Sequence, residues 1–467
     1  MSATEAARGS ATLLALLREA ARARPDAIAV ASVPAPPAPL ESLLRAAPRE
    51  TAVLWHPPAG DALSGIGETA RVALSGAARF EDLHEAGARL AGRLHARGGG
   101  AAGALPALVG GLAFAPGTAA ATPWAGFGDG LFVLPRWTYR RRGDAGLLTL
   151  AVEASQVEAL AAAIAREHRA IAGVLAAPPP AARAPRAPAA LRSTAEDDWR
   201  RLVEDARSAI ARGAMEKVVL ARRTIVEMPA PIDAADLLSR LEEQHGEQFR
   251  FAVRAGGRTF LGASPELLVA LRGNDVSCDA LAGSAVRAPD GATDAELGRQ
   301  LLANPKERLE HDLVVRAIRE RLAPWCARLE IPPAPSVRVL RRLLHLSTPV
   351  RGELRAPRAL PALARLLHPT PAVGGHPTAP AVAWIQEHEP DPRGWYAGPV
   401  GRIGADGDGE FAVAIRSALV DGATAHVYAG AGILPGSEPH AEFEETRVKG
   451  LGVLTALGLY GGEAGRR

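Results

Sequence analysis

The sequence predicts an α+β fold, and three observations carry that reading. Strand-like apolar runs follow one another through the C-terminal region. Helical periodicities interleave with them. No Gly-x-Gly-x-x-Gly or Walker sequence follows a strand in the right place, which argues against a βαβ nucleotide-binding fold. The chain has 467 residues, 48% apolar and 22% charged, enough to bury a large core. In the N-terminal α/β scaffold region, 1–177, helical spacing marks 12–23, 80–97 and 157–172, and strand-like runs mark 52–55, 131–139 and 147–152. A Pro/Ala/Arg-rich segment over 178–190 reads as a linker. The region 191–467 opens with Ser193-Thr-Ala-Glu196, a capping box, before a helix that Gly213 closes. Strands follow over 217–226, 249–253, 259–262 and 267–271, then two helices across 294–321 and a strand at 344–348. Runs at 411–419 and 425–429 flank Asp421-Gly422, a hairpin signal, and a last helix spans 440–457.

Charge is nearly balanced, with 54 Lys+Arg against 51 Asp+Glu, which argues against a nucleic-acid or membrane-surface protein. Two cysteines, Cys278 and Cys326, cannot build a disulfide framework or a cysteine metal cluster. A reducing, cytoplasmic location fits. The apolar run over 11–17 ends at Arg18 and Glu19, the wrong pattern for a signal peptide. The long uncharged stretch 98–128 is broken by Pro106, Pro116, Pro123 and many glycines, so it reads as strands and loops rather than a membrane span. Lysine occurs only three times, at 217, 306 and 449, so the other 51 basic residues are arginine. Arginine cannot lose its proton at usable pH and lysine can, so a lysine that persists in such a chain is a candidate for proton chemistry or a compact point charge.

Four constellations stand out. Lys217 begins an apolar strand, where desolvation favours the neutral amine of a general base; the bland alternative is a strand-edge lysine in water. Glu266 sits behind Pro265 and before Leu-Leu-Val, where burial would keep it protonated as a general acid; alternatively it simply ends a loop. Glu307 and Glu310 stand at i, i+3 on one predicted helix, and Glu442 and Glu445 do so on another. Carboxylates from two helices, completed by water and an anionic ligand, suit Mg²⁺, which takes few protein oxygens and keeps its waters; solvated helix charge is the ordinary reading of either pair alone. Lys449, one turn past Glu445, is placed to pair with it or to reach an anion. The histidines show no metal spacing, and no Gly-x-Ser-x-Gly elbow is present.

These residues, in this order, resemble the chorismate-utilising enzyme family, and within it the isochorismate synthases. The matching segments are EKVVLAR (216–222), FLGASPELLV (260–269), LAGSAVR (281–287), NPKERLEHDLVV (304–315), LHLSTPVRGEL (344–354), LLHPTPAVGGHP (366–377), VAIRSALV (413–420), YAGAGILPGSEP (428–439) and EFEETRVKG (442–450). They cover the whole C-terminal region, while the N-terminal region matches only loosely. The resemblance implies two large antiparallel sheets packed face to face with flanking helices, and a deep cleft that takes chorismate with Mg²⁺. It implies Lys217 as the base activating water for attack at C2 and Glu266 as the acid protonating the departing C4 hydroxyl. It implies Glu310 and Glu445 as metal ligands, supported by Glu307 and Glu442. Gly283, Ser284, Arg416, Lys449 and the Gly430-Ala431-Gly432 backbone match positions that hold the substrate carboxylates; His345 lines the cleft and Thr370 lies beside the ring.

Ammonia-using relatives lack the lysine seen here as Lys217 and need a glutamine amidotransferase partner, so the resemblance implies water as nucleophile and no such partner. Isomerisation of chorismate to isochorismate, feeding menaquinone or siderophore synthesis, is the expected activity, of a monomer by family default. Salicylate synthase, which goes on to eliminate pyruvate, is the alternative. A silent chorismate-binding protein is the reading from another class.

Overall fold

The computed structural model describes residues 3–98, 105–178, 186–287 and 291–459. Two sheets, of thirteen and ten strands, organise the chain. From one edge, the larger sheet runs Ala190–Ser193, Lys217–Glu227, Thr424–Ile433, Ser417–Asp421, Arg258–Ser264 and Phe249–Ala255, then continues through Ala52–His56, Ala62–Ile66, Trp137–Arg142, Ala145–Glu153, Ile28–Ala35 and Leu94–Arg97. The smaller runs Cys326–Glu330, Leu343–Leu354, Asp275–Val286, Leu267–Arg272, Gly409–Val413 and Pro399–Ile403, then Leu108–Leu112, Gly130–Leu134 and Ala70–Leu74. Off these paths, Gly375–His376 pairs with Lys217–Glu227 in the larger sheet and Ser336–Val339 with Leu343–Leu354 in the smaller. Pairing is antiparallel except between Ile28–Ala35 and Leu94–Arg97. Residues on both sides of the 178–190 segment share both sheets: Arg250 pairs with His56 in one and Val400 with Gly111 in the other.

Period-two alternation explains how the larger sheet buries both faces. Ile28, Val30, Val53, Trp55, Phe251 and Val253 point into a core shared with Val269, Leu271 and Phe411 of the smaller sheet. Their neighbours Ala29, Ala31, Leu54 and Ala252 pack on the opposite side, with Leu13, Ile164 and Leu237 of the covering helices. No helix among the described residues is long and apolar enough to cross a membrane.

The expected elements form with four instructive differences. Residues 411–419 are not one strand: Gly409–Val413 belongs to the smaller sheet and Ser417–Asp421 to the larger. Residues 131–139 divide at Pro135 into strands in different sheets, since proline cannot donate to a ladder. The helix expected over 80–97 ends at Arg93, and Leu94–Arg97 becomes an edge strand. The capping box does not form. Ser193 lies in a strand, where its hydroxyl meets Thr224 and accepts from Arg222, while Ala195 is the N-cap without a side-chain bond. Of the linker expected over 178–190, residues 179–185 lie outside the described residues, and Ala190 already pairs with Glu227.

Candidate active site

Two adjacent crossovers between the sheets build the site. The chain leaves the larger sheet at Ser264, passes Pro265-Glu266 and enters the smaller at Leu267. It returns through residues 414–416 from Val413 to Ser417. The crossovers are tied together, since the Val413 N–H donates to the Glu266 carbonyl at 3.1 Å and the Ala263 N–H to the Arg416 carbonyl at 3.2 Å. Arg416 makes the return turn at φ +54°, a backbone region sparsely used by side-chain-bearing residues and commonly retained at functional sites. Between the sheets lies a cleft walled by residues of both.

Glu266 lines this cleft and is 2% exposed, with no hydrogen-bond partner for Oε1 among the described residues. Burial, followed by the charge of Asp279, pushes its carboxyl up to about 8 against the opposing pull of Lys217, Lys449 and Arg416. It therefore carries a proton at neutral pH. Lys217 is 0% exposed at the start of its strand, flanked by the buried Val218 and paired across to His376. Its Nζ lies 2.9 Å from Glu310 Oε1, but out of line for a hydrogen bond. Glycine at 432 makes room for that pair: a Cβ there would collide with Glu310 Oε1 and press on Lys217 Cε.

The acidic side comes from two helices. Asn304 caps Pro305–Leu322 by accepting from the N–H groups of Lys306 and Glu307 at 3.0 and 3.3 Å, which sets Glu307 and Glu310 in the helix's opening turns. Glu442 and Glu445 project from Pro439–Ala456. Ser284 joins the helices: its N–H donates to Glu307 Oε2 and its hydroxyl to Glu445 Oε1, both at 2.8 Å. It can do so because a β-bulge at Gly283, with φ +77°, re-aims the strand at this point. Burial, then Glu310, raises Glu307 to about 7; burial, then Glu445, raises Glu442 as well. Glu445 goes the other way, because Lys449 and the Ser284 hydroxyl outweigh its burial.

Three of the four carboxylates have a lysine nitrogen against them. Besides Lys217–Glu310 there are Lys306–Glu442 at 2.6 Å and Lys449–Glu445 at 2.5 Å. These oxygens suit a hard cation, and Lys306 and Lys449 balance part of the negative charge of the cluster. Among the described residues, no three His, Cys, Asp or Glu side chains form a metal cage by themselves. A cation here would draw on one glutamate from each helix, with water and ligand oxygens completing its shell.

Opposite the acids stands Arg416. Its Nη1 donates to the Lys449 carbonyl at 2.8 Å, its Nη2 faces His345 Nε2 at 3.5 Å, and it has no carboxylate partner among the described residues. Burial lowers its guanidinium to about 10. His345 is pushed down to about 3 by burial, then by Arg416 and Lys449, so it is neutral. Its Nδ1 lies 3.3 Å from the Gly283 carbonyl, which assigns the proton to Nδ1 and turns the Nε2 lone pair toward Arg416.

Most of the residues singled out by sequence converge here. Glu266, Gly283, Ser284, Glu310 and His345 line the cleft, as do Arg416, Gly430, Glu445 and Lys449. Lys217 and Gly432 lie immediately behind Glu310, and Glu307 and Glu442 stand close to Glu310 and Glu445. Ala431 packs into the core and Thr370 is not part of the wall. The Thr370 carbonyl instead accepts from the Val373 and Gly374 N–H groups at 3.1 and 2.9 Å, shaping the turn whose Ala372 and Val373 do line it. Sequence reasoning missed Arg393, Tyr396 and Tyr428, all on the cleft wall, the two tyrosine rings stacked at 5.3 Å. The one available signal was Arg393-Gly-Trp-Tyr-Ala-Gly, a tight aromatic turn just before a strand.

Fold and cleft together define a chorismate-binding architecture. The family model of the chorismate binding enzymes matches residues 15–458, and the chain belongs to that family. It is similar to isochorismate synthase MenF of Bacillus subtilis, 42% identical over 263 residues that make up 56% of this chain and 56% of that protein. It is likewise similar to the salicylate biosynthesis isochorismate synthase of Pseudomonas aeruginosa, 43% identical over 264 residues, 56% of this chain and 55% of that one. The chain thus matches little more than half the length of these curated relatives. Among solved structures, the menaquinone-specific isochorismate synthase MenF of Escherichia coli superposes with a TM-score of 0.77 at 27% identity, over 96% of this chain and 100% of that one. Anthranilate synthase component I from Streptococcus pneumoniae shares the fold, with a TM-score of 0.69 at 21% identity over 85% of this chain and 93% of that one.

Proposed function

We propose that this protein converts chorismate to isochorismate. The observation that carries the reading is a cleft whose wall holds a buried carboxyl, Glu266, that keeps its proton near neutral pH and an arginine, Arg416, without a carboxylate partner among the described residues, with a wholly buried lysine, Lys217, directly behind the wall residue Glu310. The similarity to isochorismate synthases supports the same reading.

Water is a poor nucleophile and hydroxide a poor leaving group, so exchanging one for the other on a ring needs a base and an acid. Lys217 accepts a proton as the water oxygen bonds to C2. The diene electrons shift round the ring, the C4–O bond breaks, and Glu266 delivers its proton to the departing hydroxyl. One water enters and one leaves, so the reaction is an isomerisation. Arg416 offers a planar fork to a substrate carboxylate, and Lys449 a point charge. Glu310 and Glu445 would hold Mg²⁺, with Glu307 and Glu442 behind them. Bound there, the ion would neutralise a substrate carboxylate that the glutamates otherwise repel. The reading carries with it a cytoplasmic monomer that uses water and needs no amidotransferase partner. Its product would supply menaquinone or siderophore synthesis.

The test is incubation with chorismate and Mg²⁺, followed by chromatographic separation. Isochorismate alone supports the proposal. Salicylate with pyruvate would make the protein a salicylate synthase, and unchanged chorismate would make it a silent binder.

A further inference from the structure

We infer that Arg393 is a positioning residue: with Glu389 it forms a side-chain splint that closes an open edge of the strand carrying Lys217 and so holds that lysine in register with the cleft. The inference rests on the proposed isomerisation only for its kinetic readout.

The strand Lys217–Glu227 is paired along its whole length on one edge, from Val218 with Ile433 to Glu227 with Thr424. Its other edge is paired only at the ends, at Lys217 and Val218 with His376 and Gly375, and at 224–227 with residues 190–193. Among the described residues, 219–223 have no strand neighbour on that side. Buried backbone groups left unpaired there would be costly. Val219 N–H donates to the Gly374 carbonyl at 3.1 Å. The next two groups are met by side chains: Arg393 Nη2 donates to the Val219 carbonyl at 2.6 Å, and the Ala221 N–H donates to Glu389 Oε1 at 2.8 Å. An arginine and a glutamate thus supply the donor and acceptor that a neighbouring strand would have supplied.

The pair is itself locked. Arg393 Nε and Nη2 donate to Glu389 at 2.8 and 2.5 Å, and Nη1 donates to the Val373 carbonyl at 2.8 Å. The two side chains are 2% and 4% exposed. Through these bonds Arg393 joins three pieces of the cleft wall: Val219, two residues beyond Lys217; Val373 of the neighbouring turn; and Tyr396, whose N–H donates to Arg393's own carbonyl at 3.0 Å.

Arg393 and Arg416 both line the cleft, yet their roles differ. Arg416 lacks a carboxylate partner and donates to a single backbone carbonyl. Arg393 is neutralised by Glu389, and four of its five N–H donors are already committed to protein. It is therefore poorly equipped to grip a substrate carboxylate and well equipped to fix backbone. A catalytic group displaced by about 1 Å loses on the order of 10²-fold in rate, so a splint on the base's own strand should act on turnover.

The test uses the full chain with Arg393→Gln and Glu389→Gln, the second being milder because a carboxamide oxygen still accepts from Ala221 N–H. Turnover should fall about 10- to 100-fold for Arg393→Gln and less for Glu389→Gln, with KM changed less than about threefold in both. A KM raised tenfold or more at unchanged kcat would make Arg393 a substrate ligand and overturn the inference. So would unaltered kinetics in both variants. A second readout needs no activity. Because the chain has three lysines, lysine-selective ¹³C labelling gives three side-chain signals, assigned with Lys217→Arg. Arg393→Gln should shift the Lys217 signal and leave Lys306 and Lys449 in place. No shift at Lys217, or equal shifts at all three, refutes the splint. If the wild-type chain leaves chorismate unchanged, the functional proposal fails and the lysine spectra still decide this one.

Discussion

Two groups of buried charge show what separates a structural network from a working site. The first lies where the N-terminal region meets the rest of the larger sheet. Arg250, 1% exposed, donates through Nη1 to Glu41 Oε1 at 2.5 Å, and its Nη2 meets His56 Nδ1 and Glu242 at 2.5 and 2.8 Å. Burial, then Arg250, lowers His56 to about 4, so the histidine is neutral and accepts. The second group is the cleft. There Lys217 Nζ, Glu266 Oε1 and Glu442 Oε2 lack hydrogen-bond partners among the described residues, and Arg416 lacks a carboxylate. Buried polar groups are normally satisfied. In the first group both Nη atoms of Arg250 are met and only its Nε lacks a partner among the described residues; in the cleft unmet atoms fall on a lysine, two carboxyl groups and beside an arginine without a carboxylate, which is the condition for a ligand to complete them.

The comparison is broken most directly by exchanging which property each set controls. Lys217→Arg keeps the charge but cannot accept a proton, and Glu266→Gln keeps the shape but cannot donate one as an acid. Each should lower turnover about 10²–10⁴-fold with the circular dichroism spectrum unchanged. Near-normal turnover of Lys217→Arg would remove it as the base. Arg250→Met should do the reverse. It leaves Glu41 buried beside an apolar side chain, so urea titration should show a loss of about 3–5 kcal/mol, while the protein that remains folded turns over normally. If Arg250→Met instead lost activity at full stability, the division between the two sets would be wrong.

A smaller effect is expected from the carboxylates. Glu310→Gln and Glu445→Gln each remove one anionic oxygen from the proposed cation site, and Mg²⁺ affinity should fall about 10-fold or more. Calorimetric titration with substrate present reads it directly. Unchanged affinity in both variants would take the metal away from these helices.

What the sequence disclosed follows the same division. The two i, i+3 glutamate pairs, Lys217 ahead of an apolar strand and Glu266 behind a proline were all visible, because helical periodicity, strand burial and a rigid residue are local properties. The sheet crossing at Arg416 was not. The run 411–419 reads as one apolar strand, and nothing local announces that an arginine will take φ +54° and carry the chain into the other sheet. Ser193 was misread because a capping-box pattern also fits a strand whose hydroxyl meets Arg222. Arg393 was missed because its function depends on Val219, 174 residues earlier in the chain. Whatever depends on which distant strands become neighbours was beyond reach of pattern alone.

The smallest expected effect sharpens the comparison within the cleft itself. Glu266 sits at about 8 chiefly because it is buried, and secondly because Asp279 is near. An acid must be protonated to act, so kcat/KM should decline as pH rises through about 8. Asp279 is itself held at 3.2 Å by Arg338, a partly exposed side chain that can turn to water if its partner is removed. Asp279→Asn withdraws a negative charge from behind Glu266 while Lys217, Lys449 and Arg416 remain. The carboxyl therefore ionises more readily, and the declining limb should move to lower pH with the plateau rate little changed. The same protonation makes a stability statement of definite sign. The native state keeps the Glu266 proton while the unfolded chain releases it at about 4.3, so between that pH and about 8 the native state binds more protons, and stability falls as pH rises. Glu266→Gln should remove that loss and be more stable than the parent at pH 8 although it is inactive. Thermal unfolding of parent, Asp279→Asn and Glu266→Gln at pH 6 and 8, beside the two pH–rate profiles, tests both statements. An unmoved limb in Asp279→Asn would assign the high value of Glu266 to burial alone.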